Sequence, residues 1–322
     1  MTNLFITKLK TLSTITILIT AFSESLIAGV ILNNASDSDY TDLASEYDSV
    51  AELIADGMQG SAVKISDNWA ITAAHLVEGK RNVNLSFDGK TTYNATDIIV
   101  HDNWAGDSTE GFDIALLKFD AGLGNFSAAS LWDDGSVIGS VGTNVGFGKT
   151  GDGSSGANGS AGTKRAGNNV IDFVGTDIRA GLDPASMSFT TWAENILIQD
   201  FDNPEDQDSN FAGHSLWGIS SDRSSSAEAI ALEYLIASGD SGGGLFVDGN
   251  LVAINSFVAS KSLGSSDSKY SDIAASTGLD RHKDWIYSTT GISPEAVVPE
   301  PSSFALLGLG LAGIAFWRQR RV

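Results

Sequence analysis

The chain has 322 residues, 42% of them hydrophobic and 18% charged, so it can bury a sizeable core and is not disordered as a whole. Its 40 acidic residues against 19 lysines and arginines give a net charge of −21, which argues against nucleic acid and anionic lipid surfaces as partners. Cysteine is absent, which excludes disulfides, a thiol nucleophile and thiolate metal sites.

The N-terminus has the order of a secretory signal. Lys8 and Lys10 precede the uncharged run TLSTITILITAF, and the small residues of SLIAG follow it. Signal peptides place a basic, an apolar and a small-residue region in this sequence. We therefore predict a signal peptide over residues 1–28, cut near Ala28, with a first core helix as the alternative.

Residues 29–291 are predicted to form an all-β domain. Short apolar segments alternate with Gly, Asn, Asp and Ser: GSAVKI and WAIT flank the turn SDN, and VNLSF and TTYNATDIIV flank the Asp-Gly hairpin signal DGK. The best candidate helix lies near Leu279 to Tyr287. This profile is typical of antiparallel β-barrels or sandwiches.

Two further stretches are predicted to be loops. Residues 146–169 contain too much glycine for a core and indicate a long surface loop. The second stretch, residues 200–208, carries alternating carboxylates that could hold calcium, but their spacing matches no established calcium loop. We interpret it as a solvated acidic loop without a metal; its acidic residues are Asp200, Asp202, Glu205, Asp206 and Asp208.

The stretch IASGDSGGGLF, residues 236–246, places Asp240 and Ser241 before three glycines and between two strand-like segments. A tight turn explains the glycines but not the aspartate and the serine. A nucleophilic hydroxyl needs a base that titrates near neutrality, usually histidine. His75 ends an apolar strand in NWAITAAHLVEG, where small neighbours leave its ring reachable. The other histidines lie in polar loops or on the terminal helix: His101, His214 and His282.

Asp113 opens the nearly all-apolar segment GFDIALLKFD, so its carboxylate would be partly buried and would need a partner. An imidazole N–H is a natural partner, and a strand-initiating aspartate in a loop is the alternative. The chain order His75, Asp113, Ser241 is that of chymotrypsin-type enzymes rather than of subtilisins or α/β-hydrolases.

With TAAH, DIALL and GDSGG in this order, the sequence resembles a trypsin-like serine protease. HDNW before the aspartate segment, INSF after the serine and the terminal KDWI resemble further landmarks of that family, over roughly residues 55 to 290. The resemblance implies two antiparallel six-stranded β-barrels that divide near residue 130, with a short C-terminal helix. It places the active site in the cleft between the barrels and implies no cofactor.

The same resemblance implies the roles of the site residues. Ser241 would be the nucleophile, His75 the general base, and Asp113 the group that holds the imidazole and stabilises its cation. The N–H groups of Gly239 and Ser241 would form the oxyanion hole. Ser256 matches a family serine that hydrogen-bonds the triad aspartate.

Substrate contacts are likewise implied by position. The segment Ser256–Val258, with Phe257 at its centre, would pair with the substrate backbone as an added strand. Leu235 falls at the base of the specificity pocket, and Ala274 lies opposite Val258 on its walls. Such a pocket should prefer small or medium apolar side chains, as elastases do. Glu233 is close enough in sequence to reach the base if the alignment is off by a residue or two.

Asp240 would have a structural role at the site. In the family this aspartate is buried in the active form and pairs with a newly freed N-terminal ammonium. The usual activation sequence is missing here, but a cut near Ala28 would expose GVILNN, an apolar start able to insert. The alternative is that backbone N–H groups or a side chain satisfy Asp240, with residues 29–50 as a loose leader.

The C-terminal sequence VPEPSSFALLGLGLAGIAFWRQRRV contains a Pro-Glu-Pro triplet, an apolar run from Phe304 to Trp317 and then three arginines. It resembles the PEP-CTERM sorting signal of Gram-negative bacteria, which an exosortase recognises and processes. We therefore predict a linker and sorting segment over residues 292–322, transient anchoring in the inner membrane, and a cell-surface or extracellular destination. The membrane would be contacted only through the terminal segments.

The predicted function is a secreted or surface-sorted serine endopeptidase that cleaves protein or peptide substrates through an acyl-enzyme. Two alternatives stay open. One is a catalytically inactive surface protein that binds peptides on the same fold. The other is an esterase-like acyl transferase, because the same triad also cleaves esters.

Overall fold

A computed structural model describes residues 29–132, 135–177, 179–181, 189–206, 228–259 and 268–292. The predicted signal peptide, the PEP-CTERM segment and the end of the acidic loop lie outside these residues. Three α-helices are described: α1 Asp37–Ala44, α2 Ala74–Val77 and α3 Lys283–Thr290. The described strands are β1 Gly29–Ile31, β2 Val50–Ala55, β3 Met58–Ser66, β4 Trp69–Thr72, β5 Val83–Ser86, β6 Tyr93–Asn94, β7 Asp97–Val100, β8 Ala115–Lys118, β9 Val141–Gly146, β10 Thr150–Asp152, β11 Gly156–Ala157, β12 Arg165–Val170, β13 Phe173–Val174, β14 Arg179–Gly181, β15 Phe189–Thr191, β16 Ile196–Asp200, β17 Tyr234–Leu235, β18 Gly244–Val247, β19 Asn250–Ala259 and β20 Ile273–Gly278.

The first half of the domain is one antiparallel sheet with the strand order β6-β5-β2-β3-β4-β8-β7. Both predicted hairpins are confirmed, since β3 pairs with β4 and β5 pairs with β6. All four residues of β4 are buried, and they pair with the four residues of β8, three of which are apolar. This pairing brings the segment that follows β4 close to the segment that precedes β8.

The second half is another antiparallel sheet, with the order β12-β9-β18-β19-β20-β16-β13. The register of β19 against β20 shifts between Asn255 and Phe257, so Ser256 is the extra residue of a bulge. Bulges re-aim side chains and are common beside active sites. Because of this bulge, the Ser256 side chain departs from the regular alternation of side-chain directions along β19.

The predicted fold class is confirmed: the domain is mostly β, with two curled antiparallel sheets and a short C-terminal helix. Each of these sheets has seven strands rather than six, because the two-residue strands β6 and β13 extend their edges. The predicted helix near Leu279 is α3, which begins a turn later, at Lys283.

The long surface loop predicted over residues 146–169 is wrong, because β10, β11 and most of β12 lie there. The glycines of this segment permit close packing between neighbouring strands. A Cβ built on Gly167 would lie 2.3 Å from the Tyr234 side chain, so only glycine lets β12 approach β17 at this point. The glycine count alone carried no information on this contact.

The two chain ends of the domain each pack against the half that is distant in sequence. β1 pairs with β10 and β17 of the second half, and α1 packs on β12, so these residues are not the loose leader weighed above. At the other end, Ile286 of α3 is buried in the apolar core of the first sheet. Among the helices that the structure describes, none combines the length and apolar content needed to cross a bilayer.

Candidate active site

His75 and Asp113 are brought together by the pairing of β4 with β8. Thr72 at the end of β4 pairs with Ala115 at the start of β8, so the residues just beyond this pair become neighbours. His75 Nδ1–H donates to Asp113 Oδ2 at 2.7 Å, and the backbone N–H of His75 donates to Asp113 Oδ1 at 2.9 Å. The His75 side chain is 32% exposed while that of Asp113 is fully buried. The imidazole therefore faces solvent with its other nitrogen, Nε2, available as an acceptor.

Two hydroxyls complete the environment of Asp113. Ser256 Oγ donates to Asp113 Oδ2 at 2.5 Å, and Ser108 Oγ donates to the same atom at 3.3 Å. Burial alone would raise the pKa of Asp113, but the hydrogen bonds and charge of His75 and the bond from Ser256 outweigh it and lower this pKa below its usual value. The carboxylate is thus ionised at neutrality and able to stabilise an imidazolium. Ser108 was not found from the sequence, because it lies in a polar turn with no distinguishing pattern.

Ser241 lies in the turn before β18, and its hydroxyl donates to the backbone oxygen of Ser256 at 3.1 Å. Within the described residues no hydrogen bond joins Ser241 to His75. Ser256 nevertheless contacts both sides of the site, since its oxygen accepts from Ser241 and its hydroxyl donates to Asp113. Hydrogen bonds between nucleophile and base often tighten only when substrate binds.

The turn before Ser241 has the form that an oxyanion hole requires. Gly239 has φ +102°, and a Cβ there would lie 2.9 Å from Gly148 Cα, so a side chain at this position is excluded on both counts. In the part of the chain that the structure describes, the N–H groups of Gly239 and Ser241 donate to no protein acceptor. Both donors are therefore available to a developing oxyanion.

Ser61 of β3 holds this turn from the first sheet and was not recognised in the sequence. It is fully buried, its hydroxyl donates to the backbone oxygen of Gly239 at 2.9 Å, and its N–H donates to the backbone oxygen of Ser241 at 2.8 Å. The contact spans 178 residues of chain, so no local pattern could reveal it.

Asp240 is fully buried behind the turn. Its carboxylate accepts from Gly148 N–H at 2.7 Å, from Ala237 N–H at 2.8 Å and from the Tyr234 hydroxyl at 3.1 Å. Burial raises the pKa of Asp240 to about 6, although these hydrogen bonds and the charge of Arg165 act in the opposite direction. Asp240 therefore fixes backbone rather than touching a reacting atom.

A cavity of about 240 Å³ opens beside Ser241. Leu235 and Ala274, expected at the base and wall of the pocket, do not line it. Both are buried in an apolar cluster, and Ala274 pairs with Val258 across the sheet. The residues that line the cavity are Ile236, Ala237, Ser238, Ser241, Ser256, Phe257 and Val258. A larger cavity, of about 310 Å³, contains none of the triad and is lined by residues such as Trp132, Val252 and Leu279, so we assign the site to the smaller one.

The solvated acidic loop predicted over residues 200–208 is wrong for Asp200 and Asp202, which are 3% and 4% exposed at the end of β16. Asp200 is the last residue of β16 and pairs with Ile273 of β20, and the N–H of Asp202 donates to the buried Glu233 carboxylate at 2.6 Å. Burial, and then the charge of Asp200, raise the pKa of Asp202 to about 8 and that of Asp172 to about 10. No group of His, Asp and Glu within the described residues is arranged to hold a metal ion.

Glu233 does not line the cavity. It is 2% exposed, and its carboxylate accepts from the N–H groups of Asp202 and Ile230, both at 2.6 Å. Burial raises the pKa of Glu233 to about 8, against the effect of these two hydrogen bonds. The group is occupied in holding two backbone segments, and the cavity beside Ser241 is lined by uncharged residues.

Comparison with known proteins agrees with this geometry. Residues 48–168, which include His75 and Asp113, match the family described as Trypsin, and residues 297–321 match the PEP-CTERM protein-sorting motif. Residues 48–168 are therefore similar to the trypsin family. The PEP-CTERM motif indicates export and sorting to the cell surface, and it implies processing by an exosortase.

Among solved structures, the chain is similar to HL collagenase, with a TM-score of 0.54 and 20% identity over 83% of this chain and 100% of that one. It is also similar to neuropsin, a serine protease of mouse brain, with a TM-score of 0.51 and 18% identity over 76% of this chain and 95% of that one. At this identity the likeness establishes the fold alone. No curated protein matches the chain.

Proposed function

We propose that this protein is an exported serine endopeptidase that uses His75, Asp113 and Ser241 to hydrolyse peptide bonds. The observation that carries the proposal is the hydrogen-bonded pair of His75 and Asp113, which Ser256 connects to Ser241 beside two N–H groups with no protein acceptor among the described residues. Similarity to the trypsin family is consistent with protein substrates.

In the proposed mechanism the Ser241 hydroxyl turns from the Ser256 oxygen towards His75 Nε2. Its oxygen forms a bond to the scissile carbonyl carbon while its proton passes to Nε2, and Asp113 stabilises the imidazolium. The carbonyl oxygen becomes an oxyanion and accepts from the N–H groups of Gly239 and Ser241, each donor contributing about 3 kcal/mol.

The tetrahedral intermediate then collapses. The carbon–nitrogen bond breaks as Nε2 returns the proton to the leaving amine, which leaves an ester of Ser241. Water attacks this ester by the same route, with Nε2 accepting its proton and then returning it to the Ser241 oxygen. No cofactor is needed for either half of the reaction.

We propose that the substrate side chain at the cleaved bond is small or medium-sized and apolar. Ile236, Ala237 and Val258 contribute apolar surface to the cavity beside Ser241, and Phe257 and Val258 belong to β19, which can pair with an extended peptide. A peptide library should show cleavage after such residues, and Val258→Gly should extend the preference to aromatic side chains. Strong cleavage after Arg or Lys would overturn this specificity.

The decisive test of the proposed function is labelling of the exported protein with a fluorophosphonate, together with peptide hydrolysis. Ser241→Ala should abolish both, because the hydroxyl is the attacking group. Ser238→Ala is the matched control, since Ser238 is an exposed serine in the same cavity, and it should retain both. Hydrolysis by Ser241→Ala at the wild-type rate would refute the assignment.

The same experiment separates the other candidate functions. A peptide-binding protein without activity would bind library peptides but take up no label. An acyl transferase would take up the label and cleave esters while leaving peptide bonds intact. The intact triad and the free oxyanion donors favour the peptidase, because a binding protein has no need of them together.

We further propose that the C-terminal segment anchors the protein transiently in the inner membrane until an exosortase-type enzyme processes it. The support is the PEP-CTERM match over residues 297–321. Replacing Pro299, Glu300 and Pro301 by alanine should leave the protein unprocessed and associated with the inner membrane. Fractionation of cells that produce the two forms tests this, and equal release of both would contradict it.

A further inference from the structure

We propose that two side chains, Tyr234 and Ser61, hold the oxyanion turn in its working form, so that hydrolysis needs no separately freed amino terminus. The oxyanion turn is defined as residues 239–241. The inference rests on the proposed peptidase function and concerns the regulation of that same site.

The first device is the hydroxyl of Tyr234. The Tyr234 side chain is fully buried, and its hydroxyl donates to Asp240 Oδ2 at 3.1 Å. The N–H of Ala237 donates to the same oxygen at 2.8 Å. With the N–H of Gly148 on Oδ1, three donors satisfy the buried carboxylate from within the described residues. A buried carboxylate left without partners is costly, and here side-chain and backbone donors already meet that need.

The start of β1 packs on the same hydroxyl. A Cβ built on Gly29 would lie 1.8 Å from the Tyr234 hydroxyl oxygen, so the backbone at Gly29 directly contacts the phenol that faces Asp240. An ammonium group at this end of β1 would have to compete with Tyr234 for the carboxylate. The three donors described above already satisfy the Asp240 carboxylate, so an ammonium group would have to replace one of them.

Arg165 of β12 places a positive charge near the Asp240 carboxylate. Its guanidinium is buried and is held by Asp37 of α1 through Nε at 2.6 Å and Nη2 at 2.7 Å. The charge of Arg165 acts to lower the pKa of both Asp240 and Tyr234. Burial dominates for Tyr234 and raises its pKa well above the usual value, so the phenol keeps its proton and remains a donor.

The second device is Ser61, which fixes the peptide groups of the turn from the other sheet. Its hydroxyl donates to Gly239 O and accepts from Phe147 N–H, both at 2.9 Å, while its N–H donates to Ser241 O at 2.8 Å. Ser61 thereby fixes the two peptide groups that follow Gly239 and Ser241. The N–H groups of Gly239 and Ser241 belong to the adjoining peptide groups, whose oxygens accept from Lys149 N–H at 2.7 Å and Gly243 N–H at 2.9 Å, so every peptide group of the oxyanion turn is held on its oxygen side.

The first experiment compares Tyr234→Phe with the matched control Tyr40→Phe. Tyr40 is also a fully buried tyrosine of the same region, and its hydroxyl donates to Glu233 O at 3.1 Å without touching Asp240. We expect Tyr234→Phe to lower kcat and the rate of fluorophosphonate labelling by about 10- to 100-fold, with KM nearly unchanged. Tyr40→Phe should keep kcat although it loses comparable thermal stability, and Ser61→Ala should lower kcat by about 10-fold.

The second experiment concerns the amino terminus itself. A chain that begins at Gly29 and one that retains Leu26 to Ala28 in front of it should have the same kcat within about 2-fold, because neither needs an inserted ammonium. A loss of about 100-fold on extension would overturn the inference, and so would wild-type kcat in a folded Tyr234→Phe. This arm decides the matter even if Tyr234→Phe fails to fold. Wild-type protein no more active than Ser241→Ala would instead refute the peptidase function.

Discussion

Asp113 and Asp240 are both fully buried within the same site, yet their pKa values move in opposite directions. Burial acts to raise both. At Asp113 the imidazole of His75 and the Ser256 hydroxyl outweigh it, and the pKa falls below its usual value. At Asp240 neutral backbone and phenol donors do not outweigh it, and the pKa rises to about 6.

The difference teaches that burial alone does not set the role of a carboxylate. A group next to an imidazole can compensate a positive charge that appears during a reaction. A group that receives only neutral donors is suited to hold backbone in one conformation. Asp113 is therefore placed for charge stabilisation and Asp240 for geometry.

Asp113→Asn should have the largest effect, because it removes the negative charge beside the His75 imidazole. The amide donates where the carboxylate accepts, so it favours the imidazole tautomer with the proton on Nε2, which cannot act as a base. We expect kcat to fall by about 10⁴-fold with the fold intact. Peptide hydrolysis together with circular dichroism checks this, and a loss below about 10-fold would count against the role of Asp113.

Asp240→Asn should have the next largest effect, because it alters geometry rather than charge. The amide nitrogen cannot accept from Gly148 or Ala237, so the oxyanion turn loses part of its support. We expect kcat to fall by about 10²-fold while KM stays within about 3-fold. If KM rises and kcat is unchanged, Asp240 supports substrate binding and not the oxyanion hole.

Ser256→Ala tests whether the hydrogen bond from Ser256 to Asp113 contributes to the difference between the two aspartates. Removal of its bond to Asp113 should raise the pKa of that carboxyl and lower kcat by about 10-fold. Ser108→Ala is the matched comparison, because its hydroxyl lies at 3.3 Å from the same oxygen instead of 2.5 Å. Steady-state kinetics should rank the loss in Ser256→Ala above that in Ser108→Ala, and the reverse order would contradict the geometry.

Glu233→Gln should have the smallest effect, on stability alone. Since burial raises the pKa of Glu233 to about 8 from an ordinary 4.5, the folded protein keeps a proton that the unfolded chain releases between these values. Stability therefore falls as pH rises from about 4.5 to 8. We expect the fall in Tm over this range to be smaller in Glu233→Gln than in the wild type.

Exposed Glu205 provides the control for that experiment. Glu205→Gln removes one acidic group from the surface, so it controls for the change in net charge that Glu233→Gln also makes. Calorimetry at several pH values measures both variants. A slope that is the same in Glu233→Gln as in wild type would show that Glu233 is ionised in the folded protein at neutral pH.

The fold and the neighbourhood of His75 and Asp113 could be predicted because they rest on local signals. An apolar strand that ends in TAAH and another that begins after a single aspartate carry their meaning within about ten residues of sequence. Two hairpins and the C-terminal helix were recognisable for the same reason. The two hairpins are confirmed by the pairing of β3 with β4 and of β5 with β6.

The supports of the oxyanion turn could not be predicted, because each depends on a contact between distant segments. Ser61 reaches Gly239 across 178 residues, and Arg165 reaches Asp37 across 128. Glycine in β12 indicated a loop although it serves the approach to Tyr234. A high glycine content indicates that a segment can bend freely, but it does not show which distant residue packs against a particular glycine.

The position of α3 on the first sheet has a consequence for biogenesis. The core of that sheet remains open until Ile286 reaches it, and this residue is synthesised after every strand of the domain that the structure describes. The last packing step of the N-terminal half therefore depends on residues at the C-terminal end of the domain, so the two ends of the described chain complete one core together.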